Sequence, residues 1–238
     1  GKWCRPNYNS AVATFCHNIA RGLPVQVNDP ERKMELIYID EVLSLIKAAI
    51  DGEAPEPEAS GLRPVRGVRT CLLREIPEKL LAFKESRESL IMPSLEEPLD
   101  RELYAAYLSY LPTDEFSYEL SARSDARGAF AEIIKSRAAG QISFSTSAPG
   151  VTRGQHWHHT KNEKFIVVSG EALIRFRKID ETEVIEYSVS GDKPRVVDIP
   201  PGYTHSITNT SASEPMIMVI WASEPFDPER PDTYHTEV

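Results

Sequence analysis

The chain has 238 residues, 41% of them hydrophobic, and a formal net charge of −9. That is apolar enough for a packed core and too acidic for nucleic acid or an anionic membrane surface to be the main partner. Its longest apolar run, Met216 to Ala222, is far too short to cross a bilayer, so membrane insertion is not expected.

The start of the chain carries no signal-peptide pattern, and Cys4, Cys16 and Cys71 lack metal spacing. A reducing, cytoplasmic location is therefore expected. The sequence opens at Gly1 without Met, in what reads as the middle of an element, so an N-terminal truncation is expected.

Residues 1–112 read as mixed helix and loop. Ser10 can cap a helix over 10–21, with Val12, Phe15, Cys16 and Ile19 at helical spacing and Gly22 as the stop. "LIYIDEVLSLIKAAIDG" reads as a short strand and then a helix over 40–50, ended by Gly52. "DGEAPEPEASG" is an acidic, proline-rich loop, and "PEKLLAFKES" and "LDRELYAAYLSYL" are two further helices.

From Thr113 the pattern alternates: "QISFSTS", "KFIVVSGEALIRFR", "VIEYSVSG", "RVVDIP" and "MIMVIWA" are separated by turn residues. Many short strands at regular spacing predict an antiparallel sandwich or barrel over 113–238, joined to the first part near Leu111–Glu115.

"GVTRGQHWHHTKNEKFIVVSG" crowds His156, His158, His159 and Glu163 into one strand and turn. Residues i and i+2 of a strand share a face, so His156 and His158 aim two imidazoles into one space. Glu163 can bring a carboxylate from the next strand. His205, after the turn in "IPPGYTHSITN", is the best fourth donor. Three imidazoles and a carboxylate suit zinc, iron, manganese or nickel, with positions left for water or substrate. Strand alternation turns His159 away from this group.

Gly150, His156-x-His158, Glu163 and Gly170 have the spacing of the first cupin motif, which they resemble at full length. Pro200-x-Gly202, His205 and Asn209 resemble the second. The departure is Pro194, which stands where that motif has glycine; Gly191 lies three residues earlier. The resemblance implies a jelly-roll barrel with a divalent metal, most plausibly zinc, held by His156, His158, Glu163 and His205.

"DARGAFAEI" and "GVTRGQH" are similar to stretches of the dTDP-sugar 3,5-epimerases. This implies substrate contacts at Arg127, Phe130, Glu132 and Arg153, the arginines holding a nucleotide diphosphate. Guanidinium forks suit phosphate oxygens geometrically. Lys161 and Lys164 are further phosphate candidates. In those epimerases the histidine of the "RGxH" stretch is the base; a metal-bound His156 could not fill that role.

"LYAAYLSYLPTDEFSYEL", "VVDIPPGYTH" and "FDPERPDTYHTEV" resemble the C-terminal region of the CapF-type bifunctional capsular polysaccharide enzymes. "GKWCRPNYNSAVATFCHNIARGLPVQV" and "MELIYIDEV" resemble the last third of that family's short-chain reductase. The resemblance covers nearly the whole chain and is weakest between Glu53 and Ser94. It implies an α+β remnant of an extended, NAD-dependent-epimerase-like reductase over 1–112, without its Rossmann nucleotide half, followed by an all-β cupin jelly roll over 113–238. The implied reaction is C3 epimerisation of a UDP-linked 4-keto-2-acetamido-2,6-dideoxyhexose, for capsular polysaccharide or O-antigen.

The chain contains neither a GxxGxxG or GxGxxG turn nor a tyrosine with lysine four residues later. A dinucleotide fold needs the glycine-rich turn to cradle pyrophosphate, so NADPH and C4 reduction are not expected. For the catalytic base the sequence leaves open a metal-activated water, His159, Lys161 and Tyr203. A homodimer is expected, with Phe226 to Val238 packing across its interface. The alternatives are a non-catalytic sugar-nucleotide-binding or dimerisation module, and another metal-cupin isomerase or oxygenase.

Overall fold

The structure, a computed structural model, describes residues 2–53, 55–62 and 65–238. The Ser10 hydroxyl accepts from the Ala13 N–H at 3.2 Å and opens α1 (Ala11–Ala20). An N-cap oxygen satisfies one of the donors that the first turn leaves orphaned.

β1 (Lys33–Leu36) pairs antiparallel with β2 (Arg69–Leu72), and α2 (Ile39–Ile50) follows β1. β2 is invisible by pattern, because "RTCL" gives only four residues in which to alternate. The proline-rich stretch expected as a loop carries no helix or strand over its described residues; Ala54 lies outside them.

α3 (Glu75–Ser89) and α4 (Pro98–Leu108) complete the helical part. α4 starts with proline at a position where its missing N–H has no partner to lose. α1, α3 and α4 share a core that includes Phe15, Cys16 and Ile19, Ile76, Leu80 and Phe83, and Leu103 and Tyr107. α2 buries no residue at all, although Leu43, Ile46 and Ile50 line up on it.

The second unit comprises residues 119–238 together with 90–92, so Thr113 to Tyr118 group with the helices. Residues 90–92 join through two 2.7 Å bonds, from the Met92 N–H to the Lys135 carbonyl and from the Lys135 N–H to the Leu90 carbonyl.

The strands of this unit are β3 (Ala122–Asp125), β4 (Gly128–Ser136), β5 (Gly140–Ser147), β6 (Thr152–Trp157), β7 (Glu163–Ser169), β8 (Glu171–Lys178), β9 (Val184–Ser190), β10 (Val196–Ile199), β11 (Tyr203–Asn209), β12 (Met216–Ala222) and β13 (Tyr234–His235). They form two antiparallel sheets, ordered β10-β7-β12-β5-β4-β3 and β13-β6-β11-β8-β9.

Inward residues of both sheets, such as Phe165, Val167 and Met218 from one and Ile174, Phe176 and Ile207 from the other, meet in one core. Two facing sheets burying alternate residues make the jelly-roll barrel expected from the cupin motifs. Gly191 keeps its value despite the displaced motif glycine: a Cβ there would lie 2.6 Å from the Ser169 backbone. No helix among the described residues is long and apolar enough to cross a membrane.

Candidate metal centre

β6 and β11 are neighbours, with His156 opposite His205. The register then slips: Ser206 pairs with Gly154, leaving Gln155 as an unmatched residue at φ 61°. Such a bulge re-aims the side chains beside it. Gly154 makes room for it, since a Cβ there would sit 2.7 Å from the His205 carbonyl oxygen.

The rings of His156 and His205 lie 4.6 Å apart between centroids, and those of His156 and His158 4.9 Å. Glu163 reaches in from β7, in the opposite sheet. One donor atom from each of His156, His158, Glu163 and His205 falls within 4.8 Å of all the others. Bonds of about 2.0–2.2 Å to one ion place its donors at most about 4.4 Å apart, so a small contraction suffices.

The hydrogen bonds set which face each imidazole shows. Nδ1 of His158 is 2.6 Å from the Asp232 carbonyl, and Nδ1 of His205 is 3.3 Å from the Tyr203 carbonyl. A carbonyl only accepts, so Nδ1 donates and Nε2 of the neutral ring is a bare lone pair. Those two Nε2 atoms lie 3.3 and 3.4 Å from Oε2 of Glu163. Both are buried without a hydrogen-bond partner.

Burial and the neighbouring imidazoles push the pKa of His156 down to about 4, so it is neutral at pH 7. Burial opposes the charge on Glu163, but His158 and His205 outweigh it and hold the carboxyl well below the usual carboxylate range. The gap between an ionised carboxylate and these nitrogens can be filled by protons or by a cation that displaces them. The residues present therefore fit a divalent metal.

The cluster opens into a cavity of about 370 Å³ lined also by Phe130, Glu132, Gln141, Lys161 and Phe226. Lys161 is buried in its wall, and its Nζ donates to the Pro231 carbonyl at 3.1 Å. Glu132 pairs with Lys135 at 2.9 Å. A smaller adjoining cavity of about 210 Å³ shares Phe130, His156 and Glu163 and is walled by Arg153. The Nε of Arg153 is buried without a hydrogen-bond partner, and burial, with Arg127 nearby, lowers its pKa.

Other expected residues lie elsewhere. Arg127 is exposed at the β3–β4 turn, paired with Asp125 at 2.6 Å, and lines neither cavity. His159 is exposed, and Tyr203 offers the centre its carbonyl rather than its hydroxyl. Lys164 is exposed and paired with Asp198 across the sheet. Within the chain, Tyr234 and His235 of the C-terminal segment pair with β6. Arg123, which lines the larger cavity, escaped sequence reading: nothing local separates it from Arg127 in "SARSDAR".

Residues 123–234 match the model of the polysaccharide biosynthesis C-terminal domain. The whole chain is 44% identical to the UDP-2-acetamido-2,6-beta-L-arabino-hexul-4-ose reductase of Pseudomonas aeruginosa PA103 and spans 63% of that protein's length. It superposes along its full length on the capsular polysaccharide assembling protein CapF of Staphylococcus aureus, with a TM-score of 0.95 and 50% identity, covering 68% of that chain. A CapF structure with the inhibitor 3-isopropenyl-tropolone gives the same identity and TM-score and is 69% covered. At that identity over so much of both chains, with the cupin ligand set in place, the chain belongs to the CapF family.

Proposed function

We propose that this chain epimerises C3 of a UDP-linked 4-keto-2-acetamido-2,6-dideoxyhexose during synthesis of capsular polysaccharide or O-antigen. The observation that carries the reading is the convergence of His156, His158, Glu163 and His205, the first three of which line one cavity with the buried Lys161. The Pseudomonas relative is named as a reductase of a UDP-linked hexul-4-ose, a sugar with its ketone at C4. A ketone acidifies the C–H beside it. Removing the C3 proton leaves the electron pair in an enolate, and returning a proton to the other face inverts the carbon.

His156, His158, Glu163 and His205 would hold the metal, which we take to be zinc on the resemblance to the CapF-type enzymes, the donor set itself suiting iron, manganese or nickel as well. A bound divalent cation supplies charge stabilisation at the ketone oxygen. Lys161 is the base candidate that lines the cavity, whereas His159 is exposed and Tyr203 packs at the barrel core. Phe130 and Glu132 flank the sugar, and Arg153 offers a partnerless guanidinium nitrogen to an oxygen anion.

Residues 1–112 we read as the C-terminal part of a short-chain reductase. With no glycine-rich turn in the sequence, reduction by NADPH is not among this chain's activities. We read the chain as a homodimer, which light scattering at micromolar concentration would check.

Incubated in heavy water with the keto sugar and without NADPH, metal-replete protein should place deuterium at C3, and chelator should stop the exchange. Unchanged substrate mass would overturn the epimerase reading in favour of a non-catalytic sugar-nucleotide-binding module.

A further inference from the structure

The C-terminal segment does more than cover an edge of the barrel. Tyr234 pairs with Trp157 and His235 with His156, and the Tyr234 ring stacks on Trp157 at 4.7 Å. The bulged Gln155 is tied to the same segment: its carbonyl accepts from the Thr236 N–H at 2.9 Å, and its side chain from the Val238 N–H at 3.0 Å. The strand that carries His156 and leads into His158 is thus strapped from outside by residues far along the chain.

Asp232 is where this strap meets the centre. It stands at φ 41°, in the left-handed region, where a residue other than glycine is strained. Its contacts offset that strain. Oδ1 accepts from the His159 N–H at 2.9 Å, and Oδ2 from the N–H groups of Thr160 at 3.0 Å and Lys161 at 2.9 Å. The Thr160 hydroxyl adds a fourth bond at 3.1 Å.

One residue therefore grips the turn with its carboxylate and His158 with its carbonyl. Burial opposes the Asp232 charge, but the three N–H groups outweigh it and keep the carboxyl below its usual range. The neighbouring Pro231 carbonyl accepts from Nζ of Lys161 at 3.1 Å.

We infer that Asp232 is the positioning residue of this centre. Its carboxylate anchors the turn from His159 to Lys161, so that its carbonyl locks His158 as the Nδ1–H tautomer with Nε2 facing the other donors. Carbonyl or carboxylate partners of this kind raise ligand basicity and fix ring orientation in metal sites. The inference rests on reading the centre as a metal site, and the test keeps the two apart.

Zinc affinity is measured by competition with a chromophoric chelator, and the His158 tautomer by ring-nitrogen NMR on the metal-free protein. D232A should weaken zinc by roughly 10–100-fold, with D232N, which keeps one acceptor, in between. The wild-type ring should show the Nδ1–H form and D232A a mixture of tautomers, with the far-UV circular dichroism unchanged. A merely structural residue would not move the tautomer. D232N carries the same two readouts should D232A fail to fold. Zinc affinity within about twofold of wild type and an unchanged tautomer would overturn the inference. Wild-type protein that binds no zinc, with a tautomer still shifted by the variant, would sink the metal reading and leave the positioning role standing.

Discussion

Among the described residues the helical unit buries two polar side chains, Ser86 and Asp100, whereas the barrel buries Gln141, Ser143, Ser145, Ser147, His158, Lys161, Thr204, His205, Ser206 and Asn209. Each buried polar group costs free energy unless it is bonded. In the helical pair, Ser86 donates to the Phe83 carbonyl of its own helix at 2.7 Å, and Asp100 of α4 pairs with Lys79 of α3.

The barrel satisfies many of its groups across longer spans. Asn209 donates to the Ser147 and Glu214 carbonyls at 3.0 and 2.9 Å and accepts from the Ser211 N–H at 3.0 Å. The Nε2 atoms of His158 and His205 stand apart, because they face each other and a carboxylate with nothing between. An apolar core can be argued from packing alone. A barrel interior this polar, with His156, His158, Glu163 and His205 converging, has a donor set that could hold a metal ion.

The contrast breaks first, and hardest, at His205. Removing one of four donors should weaken metal by more than the roughly 10–100-fold that a supporting residue costs, and should take C3 exchange to background. Metal-free H205A should stay folded by circular dichroism, since the variant gives up one 3.3 Å bond, from Nδ1 to the Tyr203 carbonyl, and none at Nε2. Retained zinc at stoichiometric level would put His205 outside the centre.

Next is Lys161→Met, which keeps roughly the length of the side chain and removes the amine that would take the proton. Exchange should fall by roughly 10²–10⁴, the usual worth of a general base, with zinc content unchanged. Wild-type exchange in this variant would return the role to the other candidates.

The matching change on the helical side is Phe83→Ala. Phe83 is 1% exposed and packs on Tyr104 at 5.0 Å and Tyr107 at 6.4 Å. Truncation should cost about 3–5 kcal/mol in denaturant titration while leaving all four metal donors in place. Loss of zinc at full folding would show that the two cores are not independent.

The smallest effect is in thiol labelling. Burial pushes the Cys16 thiol up to about 12, whereas Cys4 is exposed. The thiolate is the nucleophile, so at pH 8 an alkylating reagent should take Cys4 first and reach Cys16 only on unfolding. F83A, which loosens the same cluster, should speed labelling of Cys16.

Helix 11–20 was legible because Ser10, Gly22 and the 3.6-residue spacing of Phe15, Cys16 and Ile19 are local signals. The ligand set was legible in two ways: strand alternation puts His156 and His158 on one face, and the resemblance to the two cupin motifs adds Glu163 and His205. These signals could not say that Gln155 would bulge, since a bulge is decided by what its neighbouring strand does. Nor could they separate Arg123, at the cavity, from Arg127, spent on Asp125.

The sequence by itself determined the chemistry available: which donors exist, at what spacing, and on which face of a strand. Tertiary structure decided how that chemistry is held. Asp232 lies 74 residues from His158, and no periodicity links them. Their bond exists because the chain end returns along β6, a long-range pairing whose closure depends on the whole barrel having formed.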